Sequence, residues 1–264
     1  MPAHDERHAR LHLLLGDNGL ANLNSATVMV LGLGGVGSAC AEALARGGVG
    51  KLILLDRDVV EPSNINRQAI AFTSTIGRAK TEVMTEMVQD INPSCEVVAQ
   101  HIFLAPDNVA SVLGELPRPD YVVDCIDTIS QKLAIAHWCA SEGLPLLSSM
   151  GAANRMDPSL LKFANLRKTT QCQMSKVMRL ECQKRRIKGV EVLFSTEVPV
   201  KLNAGRTKGE SLGSMSYMPP IMGLMIAGKV IQRLAGLEPM ARPPRLFRTR
   251  EEALAAVDEA TPCS

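Results

Sequence analysis

A short glycine turn, Gly32-x-Gly34-Gly35-x-Gly37, constrains this chain more than any other feature. It lies between an apolar run at residues 28–31 and a stretch of small residues with helical character. A buried strand feeding a glycine turn and then a helix is the opening of a dinucleotide-type βαβ unit. One glycine permits the tight turn, one lets backbone approach phosphate, and one lets the helix pack on the strand. Asp56 follows at the end of a second apolar run, nineteen residues beyond Gly37, with Asp58 beside it. A carboxylate in that place accepts hydrogen bonds from ribose hydroxyls. Alone, these features describe a nucleotide site of the NAD-dependent oxidoreductase kind.

The polar tail that follows changes that reading. Ser63-Asn64-Ile65-Asn66-Arg67-Gln68, with Lys80 shortly after, gathers two cations and several amides just past the ribose acid. A redox cofactor has no use for such a set, whereas a triphosphate does. Arginine takes phosphate oxygens in a bidentate grip and lysine supplies a point charge. Asp127, at the end of a predicted strand, is placed to hold Mg2+ between phosphates, since ligands of open α/β sheets bind at the carboxyl ends of strands. The competing readings are a solvated surface pair for Arg67 and Lys80, and a helix N-cap for Asp127.

Apolar periodicity predicts strands over 28–31, 51–55, 96–99, 121–126 and 146–149, with helices over 38–46, 76–91, 107–113 and 131–142. Residues 5–24 read as one or two short helices, interrupted at Gly16 and Gly19, with Leu11, Leu14, Leu15, Leu20 and Leu23 on one face. Continuous apolar strands alternating with helices describe an α/β fold, a doubly wound, Rossmann-like and mostly parallel sheet with a C-terminal extension. Beyond residue 157 the pattern loosens. Strands are expected at 190–195 and 198–202, an apolar helix at 218–235, and, after a proline-broken basic linker, a short helix within 251–260. The expected organisation is one unit over 1–240, with its nucleotide-binding part at 28–150 and a basic segment at 157–210, then a tail over 241–264.

Composition narrows the function classes. Aromatic residues make up only 3% of the chain, which argues against base-stacking platforms. Seven cysteines form no C-x-x-C pair, so neither structural zinc nor a disulfide framework is signalled, and an odd count fits reduced thiols. The charged N-terminus lacks a hydrophobic signal region, and the apolar stretch at 218–231 is too short to span a bilayer. A cytoplasmic protein without a membrane span is the expectation.

With these residues in view, the motifs GLGGVGS, LLDRDVVEPSNINRQ, Gly77-Arg78-Ala79-Lys80, INP and VVDCIDT resemble those of the adenylating superfamily that contains ThiF, MoeB and the ubiquitin-activating enzymes. The resemblance implies the ThiF-type fold. It also implies Gly34 and Gly35 beneath the phosphates, Asp56 on the ribose, Asn64, Arg67, Gln68 and Lys80 on the triphosphate, and Asp127 on Mg2+. Arg10, in ARLHLLLG, resembles the arginine that reaches the other subunit's nucleotide, which implies a homodimer. The shared chemistry is carboxylate activation, giving an acyl-adenylate and pyrophosphate.

The later half, SSMGAANRMDPSLL, NLRKT, GVEVLFSTE and ESLGSMSYMPPIMGL, resembles the tRNA threonylcarbamoyladenosine dehydratase branch. That resemblance implies ATP-driven adenylation of the threonyl carboxylate beside the anticodon, followed by ring closure. Residues 162–208 carry twelve Lys and Arg against three Glu, a natural footprint for a phosphate backbone. Lys176, Arg179, Lys184, Arg185, Arg186 and Lys188 are the candidate RNA contacts, with a solvated helix face as the competing reading. Cys172 and Cys182 would serve as nucleophiles only if nearby cations lowered their thiol pKa, and intramolecular ring closure needs no enzyme thiol. His101 and His137 read as packed or surface residues. SMSY at 214–217 lacks the cysteine that some family members use in sulfur transfer. That weakens a link to a cysteine desulfurase or sulfur-acceptor system, and leaves activation of a ubiquitin-like sulfur carrier as the runner-up. Whether a monovalent cation (Na+ or K+) is bound stays open.

Overall fold

The computed structural model describes residues 6–200 and 212–247. Its strands there are β1 (Thr27–Leu31), β2 (Lys51–Asp56), β3 (Glu96–His101), β4 (Tyr121–Asp124), β5 (Leu146–Ser149), β6 (Leu161–Asn165), β7 (Ile187–Lys188), β8 (Glu191–Ser195) and β9 (Arg245–Leu246). Its α-helices are α1 (Ala9–Ser25), α2 (Gly35–Arg46), α3 (Lys80–Ile91), α4 (Val109–Gly114), α5 (Ile129–Glu142), α6 (Gln173–Lys184) and α7 (Met218–Leu234). Seven strands form one sheet in the order β3-β2-β1-β4-β5-β8-β6, parallel except for β6, which closes the edge antiparallel to β8. β7 and β9 pair separately. The doubly wound α/β expectation holds.

Successive side chains of a strand point to opposite faces, so a sheet covered on both sides reads as a continuous apolar run. Val28 and Val30 of β1 pack under α2, α3 and α7, while Met29 and Leu31 pack under α4, α5 and α6. β2 divides in the same way, with Leu52 and Leu54 on one side and Ile53 and Leu55 on the other. The chain winds outward from β1 in both directions, through β2 on one side and β4 on the other. That switch point leaves a crevice above the strand ends.

Several predicted boundaries shift for local reasons. The helix expected from residue 76 begins at Lys80, because residues 77–79 pair with residues 59 and 60 instead: Gly77 donates to the Val60 carbonyl at 2.8 Å, and Val60 to the Arg78 carbonyl at 2.9 Å. The strand expected to reach residue 126 stops at Asp124, whose carboxylate takes the Ile126 amide at 3.1 Å and turns the chain. Of the strand expected at 198–202, residues 198–200 are not in a strand; residues 201–202 and the helix expected within 251–260 lie outside the described residues. The N-terminal helix kinks at Gly16 (φ 64°), so Leu20 and Leu23 are buried whereas Leu13 and Leu14 stay exposed. Among the described residues, no helix is long and apolar enough to cross a membrane.

At the end of the sheet opposite the crevice, Arg233 of α7 binds both Glu191 carboxylate oxygens (2.7 and 2.9 Å) and the Tyr121 hydroxyl (2.6 Å). Burial pushes the Tyr121 phenol up to about 12, so it stays protonated at any physiological pH. Arg233→Ala would orphan a half-buried carboxylate on β8. The expected loss is about 3 kcal/mol, the low end for breaking a buried pair, because Glu191 keeps some solvent. Thermal unfolding should fall by roughly 10 °C for a chain of this size.

Candidate functional site

A cleft of about 590 Å³ opens above the carboxyl ends of β1, β2, β4 and β5. Its floor is the glycine turn. Gly32 sits at φ +87°, a left-handed conformation that side chains disfavour, and a Cβ on Gly37 would overlap the Gly32 carbonyl oxygen. Gly34 faces open space. The three glycines thus divide the work as their spacing predicts: turn, open backbone, and close helix packing. Asp56 accepts from the Leu33 amide at 2.5 Å through one oxygen and from the Asp58 amide at 2.7 Å through the other. It therefore shapes the turn as well as facing the cleft.

The polar tail folds over the mouth of this turn. Ser38, in α2, donates to the Gly34 carbonyl at 2.7 Å and accepts the Ala69 amide at 3.1 Å, which holds the tail against the helix. Asn64 is buried and accepts the Glu61 amide at 3.2 Å. Gln68 is buried with its side-chain oxygen lacking a partner, an orphaned polar atom in the cleft wall. Arg67 donates to the Ser63 carbonyl (2.8 Å) and to Asn66 (2.7 Å), and Asn66 in turn donates to the Ser214 carbonyl at 3.0 Å. Lys80 is only 5% exposed, and its ammonium lies 3.0 Å from Asp58. This is not the solvated surface pair that was the competing reading.

Asp127 is exposed on the far wall, and its carboxylate accepts from the Thr128 hydroxyl at 3.2 Å. Thr128, not Asp127, is the N-cap of α5, so the capping alternative does not apply. Gly32, Gly34, Gly35, Asp56, Asp58, Asn64, Arg67, Gln68, Lys80 and Asp127 all line the cleft; Gly37, Ser63 and Asn66 support it from outside. Arg10 lies elsewhere, exposed on the first half of α1.

Charge decides what can enter. Among the described residues, the lining carries four carboxylates (Asp56, Asp58, Glu61, Asp127) and three cations (Arg57, Arg67, Lys80), one net negative charge. A polyanion entering such a cleft needs additional positive charge. Asp127 is a lone carboxylate, and no group of three or more His, Cys, Asp or Glu is gathered anywhere among the described residues. That donor set fits Mg2+, which is bound through one or two carboxylates together with substrate phosphates, rather than an all-protein cage.

Sequence reasoning missed other parts of the cleft. Arg57 lies over the ring of Phe103 at 4.6 Å, and Ile102, Phe103 and Leu104 form an apolar wall. Leu212, Gly213 and Ser214 form a strap across the mouth. Asn154 clasps Gly213 through two hydrogen bonds (2.7 and 2.9 Å), and Tyr217 donates to the Met156 carbonyl at 2.8 Å. Several of these residues fall within the resembling segments quoted above, but their meeting depends on partners distant in sequence.

The basic helix starts at the cleft, since Met174 in the first turn of α6 lines it. The six cations chosen from sequence are unequal. Arg179 turns inward to Thr169, donating to its carbonyl at 2.8 Å and to its hydroxyl. Lys184 (2.7 Å) and Arg185 share the single carboxylate of Glu181. Lys188 lies 4.7 Å over the Phe247 ring, its pKa lowered by desolvation and by neighbouring Arg167. Lys176 and Arg186 are exposed. Burial pushes the Cys182 thiol up to about 11, outweighing the opposite pull of Arg185, so the cations do not activate it. Cys172 is buried as the N-cap of α6. His101 and His137 are exposed and lie outside the cleft.

The ThiF family model matches residues 6–261, which includes the whole cleft. The chain belongs to the ThiF family. A tRNA threonylcarbamoyladenosine dehydratase of Bacillus subtilis (strain 168) is 39% identical over 239 residues, spanning 86% of this chain and 93% of that one. An Escherichia coli (strain K12) protein of the same name is 37% identical over 196 residues, spanning 71% of this chain and 72% of that one. The solved structure of E. coli tRNA N6-threonylcarbamoyladenosine dehydratase, TcdA, in complex with ATP has a TM-score of 0.81 at 32% identity, covering 90% of this chain and 97% of that one. By contrast, an adenylyltransferase and sulfurtransferase of Candida glabrata matches 63% of this chain and 38% of its own length, at 30% identity.

The ThiF-family turn makes a paired prediction about its glycines. Gly37→Ala should lower stability by about 1–3 kcal/mol through overpacking against the Gly32 carbonyl. Gly34→Ala, facing open space, should stay within about 0.5 kcal/mol of the parent. Denaturant unfolding of the two variants checks both.

Proposed function

We propose that this ThiF-family protein is an ATP-dependent tRNA threonylcarbamoyladenosine dehydratase. One observation carries the reading: the cleft that gathers Arg67, Lys80 and Asp127 is walled on another side by the first turn of the basic helix α6. A nucleotide site and a cationic surface therefore share one opening, as a substrate carboxylate carried on RNA requires. Relatives with that name span most of this chain, and one was solved with ATP.

In this reading the threonyl carboxylate attacks the α-phosphate of ATP, forming an acyl-adenylate and releasing pyrophosphate. The carbamoyl group of the same nucleoside then closes on the activated carbonyl, expelling AMP and a proton. Gly34 and Gly35 lie beneath the phosphates, Asp56 takes the ribose, and Asn64, Gln68 and Lys80 hold the triphosphate. Arg67 exchanges Asn66 for the charge that develops at the α-phosphate. Mg2+ held by Asp127 supplies the positive charge that the net-negative lining lacks. Lys176 is the leading RNA contact; Lys184, Arg185, Arg186 and Lys188 contribute the field around it, and Arg179 holds the helix in place. The pairing of two exposed leucines, Leu13 (82%) and Leu14 (79%), with Arg10 on the first half of α1 supports a homodimer in which Arg10 acts in trans. The reading contains no sulfur step and requires no monovalent cation.

The deciding experiment combines the protein, ATP, Mg2+ and tRNA bearing threonylcarbamoyladenosine, then weighs the digested nucleoside. Loss of the mass of one water, with AMP and pyrophosphate formed, is expected. An unchanged nucleoside, with pyrophosphate release driven instead by a Gly-Gly sulfur-carrier protein, would assign the other activity. Arg67→Ala should reduce kcat by about 100- to 1,000-fold, the usual loss when a transition-state donor is removed. Omission of Mg2+ should abolish turnover. Lys176→Ala should weaken tRNA binding and flatten its log–log salt dependence by up to about 0.9, the contribution of one phosphate contact.

A further inference from the structure

β4 and β5 end side by side beneath the cleft, and α5 drives a lysine into the gap between them. Lys132 is 1% exposed as a residue, and its side chain has no solvent access. Its ammonium donates to Asp124 Oδ2 at 2.9 Å and to Ser148 Oγ at 3.1 Å, while Ser148 Oγ donates to the same carboxylate oxygen at 2.7 Å. The other carboxylate oxygen, Oδ1, accepts the Ile126 amide at 3.1 Å, and the intervening Cys125 amide binds the Leu31 carbonyl at 2.8 Å. The turn that ends in Asp127 is therefore held from below by Asp124.

The same lysine reaches the end of the neighbouring strand. Ser148 is followed by Ser149, Met150 and Gly151, all of which line the cleft, as do Cys125, Ile126 and Asp127 after Asp124. Gln131, beside Lys132 on α5, also lines it. One buried ammonium thus ties together two neighbouring loops that both line the cleft. As a stabilising device the arrangement is poor, because desolvation offsets most of what a fully buried ion pair gains, and a well-packed apolar pair does as well. As a geometric device it is strong, because each donor has a specific acceptor at hydrogen-bonding distance.

We infer that Lys132, acting through Asp124 and Ser148, is a positioning residue. It fixes the turn carrying Asp127, and so the metal and phosphate side of the cleft, against the wall formed by residues 149–151. The inference rests on the nucleotide reading of the cleft given above and adds a residue that no nucleotide motif contains. It separates two kinds of affinity: the ribose and glycine-turn contacts lie on β1 and β2, where Asp56 holds the turn, whereas the Mg2+-dependent part depends on Asp127.

The test is calorimetric titration of ATP into the full-length protein, with Mg2+ at a series of concentrations and with chelator. The main variant is the double substitution Asp124→Leu/Lys132→Met, which removes both charges and fills the volume. Ser148→Ala, which removes only the link to β5, is the milder second variant. Both are checked for parental circular dichroism and cooperative unfolding. In the double variant the Mg2+ concentration giving half-maximal enhancement of ATP binding should rise by about 10- to 100-fold, the usual cost of losing a group that orients a metal ligand. Ser148→Ala should shift it in the same direction by less, and Mg2+-free ATP affinity should be unchanged in both. Folded variants with the parental Mg2+ dependence would overturn the inference, as would equal losses with and without Mg2+, which mark a purely structural role. If the double variant does not fold, Ser148→Ala decides alone. A parent protein that binds no ATP would overturn the nucleotide reading itself.

Discussion

The close approach of α2 to the end of β1 is the constraint on which the rest of the structure depends. Gly37 lies against the Gly32 carbonyl so tightly that no side chain fits, and this brings the helix N-terminus over the strand ends. Backbone amides at a helix start are unpaired and carry partial positive charge, so the approach creates an anion-accepting floor before any side chain contributes. Everything else in the cleft is arranged around that floor. Ser38, one residue after Gly37, holds the Ser63–Gln68 tail over it, and Asp56 holds the turn from the side.

Electrostatics then narrows what the floor can serve. A cleft with a surplus of cations would bind any polyanion. Among its described residues this one has a small surplus of carboxylates, so in the proposed reading a cation at Asp127 would accompany the phosphates. Lys80 is buried beside Asp58 rather than waving in solvent, and Arg67 is already held by Ser63 and Asn66. Cations that are ordered before the ligand arrives lose less side-chain entropy when it binds. Outside the cleft, α6 presents charge on a surface that begins at the cleft wall. There, several of its basic side chains are partly neutralised by Glu181 or turned inward.

Much of this was legible from residues alone, for identifiable reasons. Strands covered on both faces leave unbroken apolar runs, so β1, β2 and β5 fall where periodicity places them within a residue. Boundaries moved where a side chain or a non-local pairing intervened: Asp124 ended β4 early, and the pairing of residues 59 and 60 with residues 77–79 delayed α3. The glycine turn, Asp56, Arg67, Lys80 and Asp127 converge because they occupy the ends of neighbouring parallel strands or the loops that leave them. The wall of Ile102, Phe103 and Leu104, the 212–214 strap and Lys132 could not be read this way. Each owes its place to a partner tens of residues distant.

What the sequence determined by itself is the local chemistry: a turn only glycine can make, a carboxylate at a strand end, and two cations with amides just beyond it. Those are properties of short segments, and short segments carry their own steric and hydrogen-bonding rules. The tertiary structure alone decided which charges face the same cleft, which of the six basic candidates remain exposed, and that a lysine inside an apolar helix links the cleft-lining loops after β4 and β5. Burial and net charge are sums over segments that meet only when the sheet is assembled. Lys132 in α5 looks like a break in an apolar pattern until Asp124 and Ser148 arrive from two other strands to complete it.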